Sequence, residues 1–336
     1  MNVWKVKAPM QLEKEDCPVP EPEAGKYRVR ITKALLSKVD SEVFSGIAKV
    51  KLPIVPGRFA VGQIATQTDN PLFPKNMRVL LHAYKEVPDL GRAQKDFSED
   101  DISVCGITED GFLRDFINAS PEEMTPLPDS VSDNDALLVH YVAIAKAVVD
   151  KLDAKKGSHV AVVGADFLGI IISQLLIYQQ VSPVLIDSQA ERLYFAKKCG
   201  IYYTMLDNAS VIDDVASVTG GRLCDGAIYV KTARVDPILS AQLVQRGSTV
   251  VIVALDRTGF NVDLELAMHK RLTISAVSEP EDMLESAINL IVSKAINLDP
   301  LRETIKPISN LERFFSEEWS PSMLDTFRIH IFNLLS

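Results

Sequence analysis

The sequence predicts an α/β chain in two parts, a β-barrel-like half followed by a doubly wound parallel sheet. Two observations predict it. Residues 1 to about 125 break into short β-rich runs punctuated by proline and glycine. From Gly157 to Gly200 the order changes to strand, glycine turn, helix, strand and acidic residue, which is the order of a dinucleotide-binding βαβ unit.

In the first half, residues 3–7, 27–34, 59–66 and 78–83 are β-rich and partly alternating. Pro18, Pro20, Pro22, Gly46, Pro53, Pro56, Gly57, Pro71 and Pro74 separate them, and no stretch there has a convincing helical period. Residues 86–110 are polar, acidic at 98–101, and are expected to form a surface lobe or long loop. The proline-rich run 120–130 approaches a domain boundary, and residues 133–150 then have strong helical character.

In the second half, residues 159–163 form a valine-rich strand, Gly164 turns the chain, and an apolar helix runs through residue 177. A second strand over 183–186 ends on Asp187, which follows Gly164 by 23 residues, against about 20 for a dinucleotide site. Residues 190–198 read as a helix, 225–230 and 249–255 as buried strands with a helix over 238–244 between them, and 272–278 as a final strand. Residues 283–295 form an apolar-periodic helix and 327–332 a last strand. There is no internal repeat, low-complexity tract or lipidation signal.

The βαβ order carries a specific chemistry. A helix N-terminus presents unpaired N–H groups and partial positive charge, so it holds a pyrophosphate. A carboxylate at the end of the second strand accepts hydrogen bonds from ribose hydroxyls and repels a 2′-phosphate, so Asp187 favours NAD(H) over NADP(H). The G-x-G-x-x-G pattern is occupied by Gly164, Ala165, Asp166, Phe167, Leu168 and Gly169. Asp166 stands where the middle glycine lets the backbone approach the phosphates, and it adds bulk and like charge. Two readings stand: a working cofactor site, and an α/β unit whose nucleotide site has decayed. Lys231 and Thr232 follow one strand end and Ala254 and Leu255 another, where ligands sit in open α/β sheets.

The formal charge of −9 and the absence of a basic cluster argue against a nucleic-acid surface. No apolar run approaches the about 20 residues of a membrane span, and the first residues carry no hydrophobic signal region. Cys17, Cys105, Cys199 and Cys224 are scattered without C-x-x-C spacing, so neither a zinc ribbon nor a disulfide framework is expected, and a reducing, cytoplasmic setting follows.

Six stretches in order carry a resemblance: VPGRFAVGQI (55–64), EDGFLRDFI (109–117), the βαβ unit, TGGRLCDGAIYV (219–230), RGSTVVIVAL (246–255) and LIVSKAINLDPLRETIKPISNLERFF (290–315). The chain resembles the medium-chain dehydrogenase/reductase superfamily, the family of zinc alcohol, sorbitol and threonine dehydrogenases. The resemblance implies a GroES-like β-barrel domain over 1–138 and 279–336, a Rossmann domain over 139–278, an active site in the cleft between them, and a homodimer or homotetramer.

The departures from the family are informative. Where zinc-dependent members carry Cys-Gly-Ser-Asp, this chain has Ser37, Lys38, Val39 and Asp40. Where they carry Gly-His-Glu, it has Gly57, Arg58 and Phe59, and the third ligand falls on Val139 or, with a one-residue slip, on His140. Serine binds Zn²⁺ poorly, and arginine and valine do not bind it. The structural zinc of the family needs four close cysteines, and the lobe offers only Cys105. No zinc is expected. Val39 also cannot pass a proton where the family's hydroxyl relay begins. Ser37, Asp40, Arg58, His140 and Lys146 are the polar residues the resemblance turns toward the cleft.

For Arg58, one reading has the guanidinium hold a carboxylate or developing oxyanion. The favoured reading is a buried Asp40–Arg58 ion pair filling the metal position. Lys146 either faces the cleft or lies on a solvated helix face. Arg192 either covers the adenine or pairs with Glu191 or solvent. His82, His159, His269 and His330 read as structural.

The expected function is a zinc-independent NAD(H)-linked oxidoreductase that moves hydride to or from a small carbonyl, alcohol or activated alkene. The alternative is a catalytically reduced relative that binds a nucleotide or a partner protein.

Overall fold

A computed structural model describes residues 1–68, 70–86, 103–231, 235–254, 262–277, 283–301, 305–318 and 329–335. The chain divides into two compact units, Met1–Leu138 with Arg302–Ser336, and Val139–Leu301. Most of the polar segment expected as a lobe, residues 87–102, lies outside the described residues, as do Thr232 and Leu255.

The first unit opens with a hairpin, β1 (Asn2–Ala8) against β2 (Gln11–Asp16), turned at Met10 with a φ of 63°. Then follow β3 (Tyr27–Leu36), the helix α1 (Lys38–Ser45), β4 (Phe59–Ile64) and β5 (Arg78–Leu81). A two-stranded pair, β6 (Tyr84–Glu86) and β7 (Ser103–Val104), precedes β8 (Phe116–Ala119), β9 (Met124–Pro126) and the short helix α2 (Asp133–Ala136).

The second unit begins with α3 (Val139–Leu152), so the single helix expected over 133–150 is two helices. It continues β10 (His159–Val163), α4 (Phe167–Tyr178), β11 (Ser182–Asp187), α5 (Ala190–Lys198), β12 (Tyr203–Leu206) and α6 (Val211–Val218). After these come β13 (Cys224–Val230), α7 (Pro237–Gln242), β14 (Val244–Val253), α8 (Leu264–Lys270), β15 (Thr273–Val277) and α9 (Leu284–Val292). The chain then rejoins the first unit through β16 (Lys306–Pro307) and β17 (His330–Asn333).

β3 is the spine of the first unit. One edge pairs with β4; the other pairs with β8 along Tyr27–Arg30 and with β17 along Lys33–Leu36, all antiparallel. The sheet runs β16-β17-β3-β4-β5-β9. Val29, Ile31, Leu36, Ile64, Phe112 and Phe332 are buried in its core. The returning segment is held by aromatic contacts, Phe314 to Phe332 with ring centroids 5.2 Å apart and Phe44 to Phe315 at 4.6 Å.

The second unit is a six-stranded parallel sheet in the order β12-β11-β10-β13-β14-β15. Reading the strands by their order in the unit, this is 3-2-1-4-5-6, the dinucleotide-fold order with its switch point between β10 and β13. Its central strands β10, β11 and β13 are nearly continuous buried apolar runs, as expected where both faces of a parallel sheet are covered. The fold is therefore α/β, a GroES-like barrel unit with a Rossmann unit.

The expected return to the first unit at residue 279 is corrected. The described residues 283–301 group with the second unit. Leu284, Ala287 and Ile288 of α9 are buried there, α9 packs on α3, and Gln174 exchanges hydrogen bonds with the backbone of Asn297 (2.6 and 3.1 Å). Among the described residues no helix is long and apolar enough to cross a membrane.

Candidate cofactor and active-site residues

In the first unit the structure brings Ser37, Asp40 and Arg58 together. Asp40 is the third residue of α1 and lies 1% exposed. Its carboxylate accepts hydrogen bonds from the Ser37 N–H (2.8 Å), the Ser37 hydroxyl (3.0 Å) and the Gly57 N–H (2.7 Å). Burial pushes the Asp40 carboxyl up from its ordinary range; the Arg58 charge and the three hydrogen bonds oppose this. Arg58 is 2% exposed, with its guanidinium 5.1 Å from the centre of the Phe59 ring. The loop that carries Gly57 and Arg58 is wrapped by residues 105–113. Gly111 donates to the Val55 carbonyl (2.6 Å), Phe112 to Gly57 (2.8 Å) and Leu113 to Pro56 (3.0 Å). Any side chain at Gly111 would run into the Gly57 and Pro56 carbonyl oxygens.

This cluster is a poor fit to a divalent cation. The serine hydroxyl spends its proton on Asp40, both Asp40 oxygens are engaged by donors, and the nearest charge is a buried cation. Among the described residues no group of three or more His, Cys, Asp or Glu side chains could hold a metal. Val39 is buried and has no donor atom.

His140 and Lys146 belong to the second unit, on α3. His140 is buried, directly after the buried Val139. Lys146 forms an ion pair with Asp150 one turn along the same helix, both partly exposed. Its ammonium is engaged by a helix neighbour in the usual i,i+4 geometry, the arrangement of the solvated helix face that is one of its two expected readings.

The glycine turn is built as expected in outline. Gly164 has a φ of 116°, conformational territory that suits glycine, and its N–H donates to the Ile186 carbonyl (2.8 Å). A Cβ on Gly169 would overlap the Gly164 carbonyl oxygen, so this glycine is what lets α4 close against the turn. Asp166 is the N-cap of α4: it is buried, and its Oδ1 accepts from the Gly169 N–H (2.8 Å). Ala165, Phe167 and Leu168 are buried beside it.

Asp187 ends β11 and is 0% exposed. Its Oδ2 accepts from the Ala165 N–H (2.8 Å) and faces Arg192 Nη1 (3.5 Å), and its Oδ1 accepts from the Gln189 N–H (2.9 Å). Arg192 is buried against Asp187, whereas the sequence left it over adenine or against Glu191 or solvent. The Gln189 contact, absent from the expected set, is an Asx turn that the Asp-x-x spacing alone suggests. Next along, burial first and then the charges of Asp236 and Asp187 push the Asp207 carboxyl up. Lys231 and Ala254 stand at the ends of β13 and β14, and the Lys231 N–H donates to the Val253 carbonyl (2.9 Å).

No protein-family model matches the chain. It is 20% identical over 219 residues to an uncharacterised zinc-type alcohol dehydrogenase-like protein of Haemophilus influenzae, covering 64% of each. It is 26% identical over 199 residues to sorbitol dehydrogenase of Gallus gallus, covering 57% of this chain and 56% of that one. The matched stretch thus spans less than two thirds of these relatives. The fold likeness is wider. It covers 99% of this chain and 99% of 2R,3R-butanediol dehydrogenase from Bacillus subtilis, with a TM-score of 0.84 at 16% identity. It covers the same shares of an Escherichia coli alcohol dehydrogenase solved with NADH, at 0.81 and 19%.

The chain has the two-unit fold of these dehydrogenases.

Proposed function

We propose that this medium-chain dehydrogenase/reductase is a zinc-independent, NAD(H)-linked oxidoreductase acting on a small carbonyl, alcohol or activated alkene. The observation that carries the reading is the parallel sheet in dinucleotide order with a left-handed Gly164 turn, the α4 N-terminus and Asp187 at its switch point. The N–H groups of Phe167 and Leu168, in the first turn of α4, are the ones available to a pyrophosphate. Asp187, Asp207 and Asp236 give that edge of the sheet a negative field, which suits a ribose without a 2′-phosphate. Lys231 and Ala254 at the strand ends fall on the nicotinamide side.

The bound nicotinamide supplies or accepts the hydride. The chain's own part is to position the reactants and to stabilise charge without a Lewis acid. Arg58 provides fixed positive charge at the position a metal takes in zinc-dependent relatives. Asp40, clamped by Ser37 and Gly57, holds that charge in place. A dimer is the assembly this reading prefers: β15 is an edge strand of the sheet that carries the exposed Ile274, and Leu264 and Met268 of α8 are exposed as well. The four free cysteines suit the reducing cytoplasm.

The test is a thermal-shift titration with NADH and NADPH, combined with elemental analysis for zinc. NADH at 100 times its Kd should stabilise the fold by about 2.7 kcal/mol. No shift with either nucleotide would replace this reading with the catalytically reduced binder, and stoichiometric zinc would remove the metal-free half of it.

A further inference from the structure

The geometry points to Asp166 as the residue that sets cofactor affinity, a built-in anion at the phosphate end of α4 that competes with the diphosphate of a dinucleotide. The inference rests on the NAD(H) reading above and deepens it. The fingerprint position filled by Asp166 lies one residue before α4, and its extended backbone (φ −80°, ψ −175°) turns the side chain onto the helix start. Its carboxylate takes the Gly169 N–H at 2.8 Å. That N–H is one of the few donors a helix start offers an incoming anion. The carboxylate is buried, so its charge is weakly screened there.

Two effects follow for a diphosphate. It loses one donor to the chain's own side chain, and it meets a negative charge at contact distance in surroundings less polar than water. A Cβ on Gly169 would overlap the Gly164 carbonyl oxygen, so the helix start already lies close against the turn. Asp187 also ties the turn, through Ala165 and Gln189.

The experiment compares the full-length protein with Asp166→Asn and Asp166→Gly, titrating NADH by its fluorescence, with adenosine as a phosphate-free control. Asparagine retains an oxygen for the Gly169 N–H and removes the charge; glycine removes both and restores the small residue. The expected result is a Kd for NADH at least tenfold lower in Asp166→Asn and lower again in Asp166→Gly, with the adenosine Kd changed less than twofold. Measurable NADH binding by the parent protein, unchanged or weakened in folded Asp166→Asn, overturns the inference and leaves the NAD(H) reading standing. No NADH binding by any of the three folded proteins overturns both.

Discussion

The cluster around Arg58 and the turn around Asp166 solve the same problem with opposite signs. In zinc-dependent members of the resembled family the first region holds a cation and the second receives an anion. Here the first contains its own cation, the buried Arg58 guanidinium beside Asp40, and the second its own anion, the Asp166 carboxylate on the Gly169 N–H. The difference lies in what surrounds them. Asp40 is bound by three donors and an opposing charge, so its region is a closed structural unit. Asp166 caps the start of α4. A charge embedded in a network is hard to exchange, whereas a charge on a cap is adjustable.

The contrast is broken most forcefully at Arg58. Arg58→Met leaves Asp40 buried without its opposing charge and should cost about 3–5 kcal/mol in denaturant unfolding at neutral pH. The double variant Arg58→Met with Asp40→Asn should recover much of this. A pH series sharpens the point. The folded Asp40 carboxyl is raised, so its contribution is fully present below the ordinary Asp range and is lost as pH rises through the folded value. The stability of the parent protein relative to Asp40→Asn should therefore fall between acid and neutral pH. A flat difference would show that the hydrogen bonds and Arg58 cancel burial altogether.

Gly169→Ala is next in size. Its methyl group meets backbone rather than a mobile side chain, so a loss of about 1–3 kcal/mol is expected in thermal unfolding. Asp166→Ala removes the cap of α4 and should cost about 1 kcal/mol. Lys146→Met breaks a partly exposed pair within one helix and should change stability by no more than about 0.5 kcal/mol. A much larger loss there would reopen a buried role for Lys146.

What the sequence revealed follows from how local each signal is. The βαβ unit was readable because its strand, glycine turn and acidic end lie within one short segment. The pair of Lys146 and Asp150 was missed, although the two lie four residues apart on one helix, a spacing at which such pairs form. The helix α1 escaped because it is only 8 residues long, although Ser37 and Asp40 at capping-box spacing announce its start. The strand β2 escaped because QLEKED lies on the surface and has no apolar alternation to betray it. The Arg192 partner depends on how the β11–α5 turn folds back. The side taken by α9 depends on which core accepts its apolar face, and amphipathicity names no partner.

The strand β3 has one further consequence, for synthesis. On one of its edges, Lys33–Leu36 pair with Asn333–His330, nearly 300 positions downstream, while residues 139–301 form an unbroken segment. During translation the middle of the chain can complete its sheet as soon as it emerges, but the opening barrel must wait for the last residues to arrive. Until then the Lys33–Leu36 part of that edge stays bare, and a nascent-chain binder that shields an unmatched strand would find its target there.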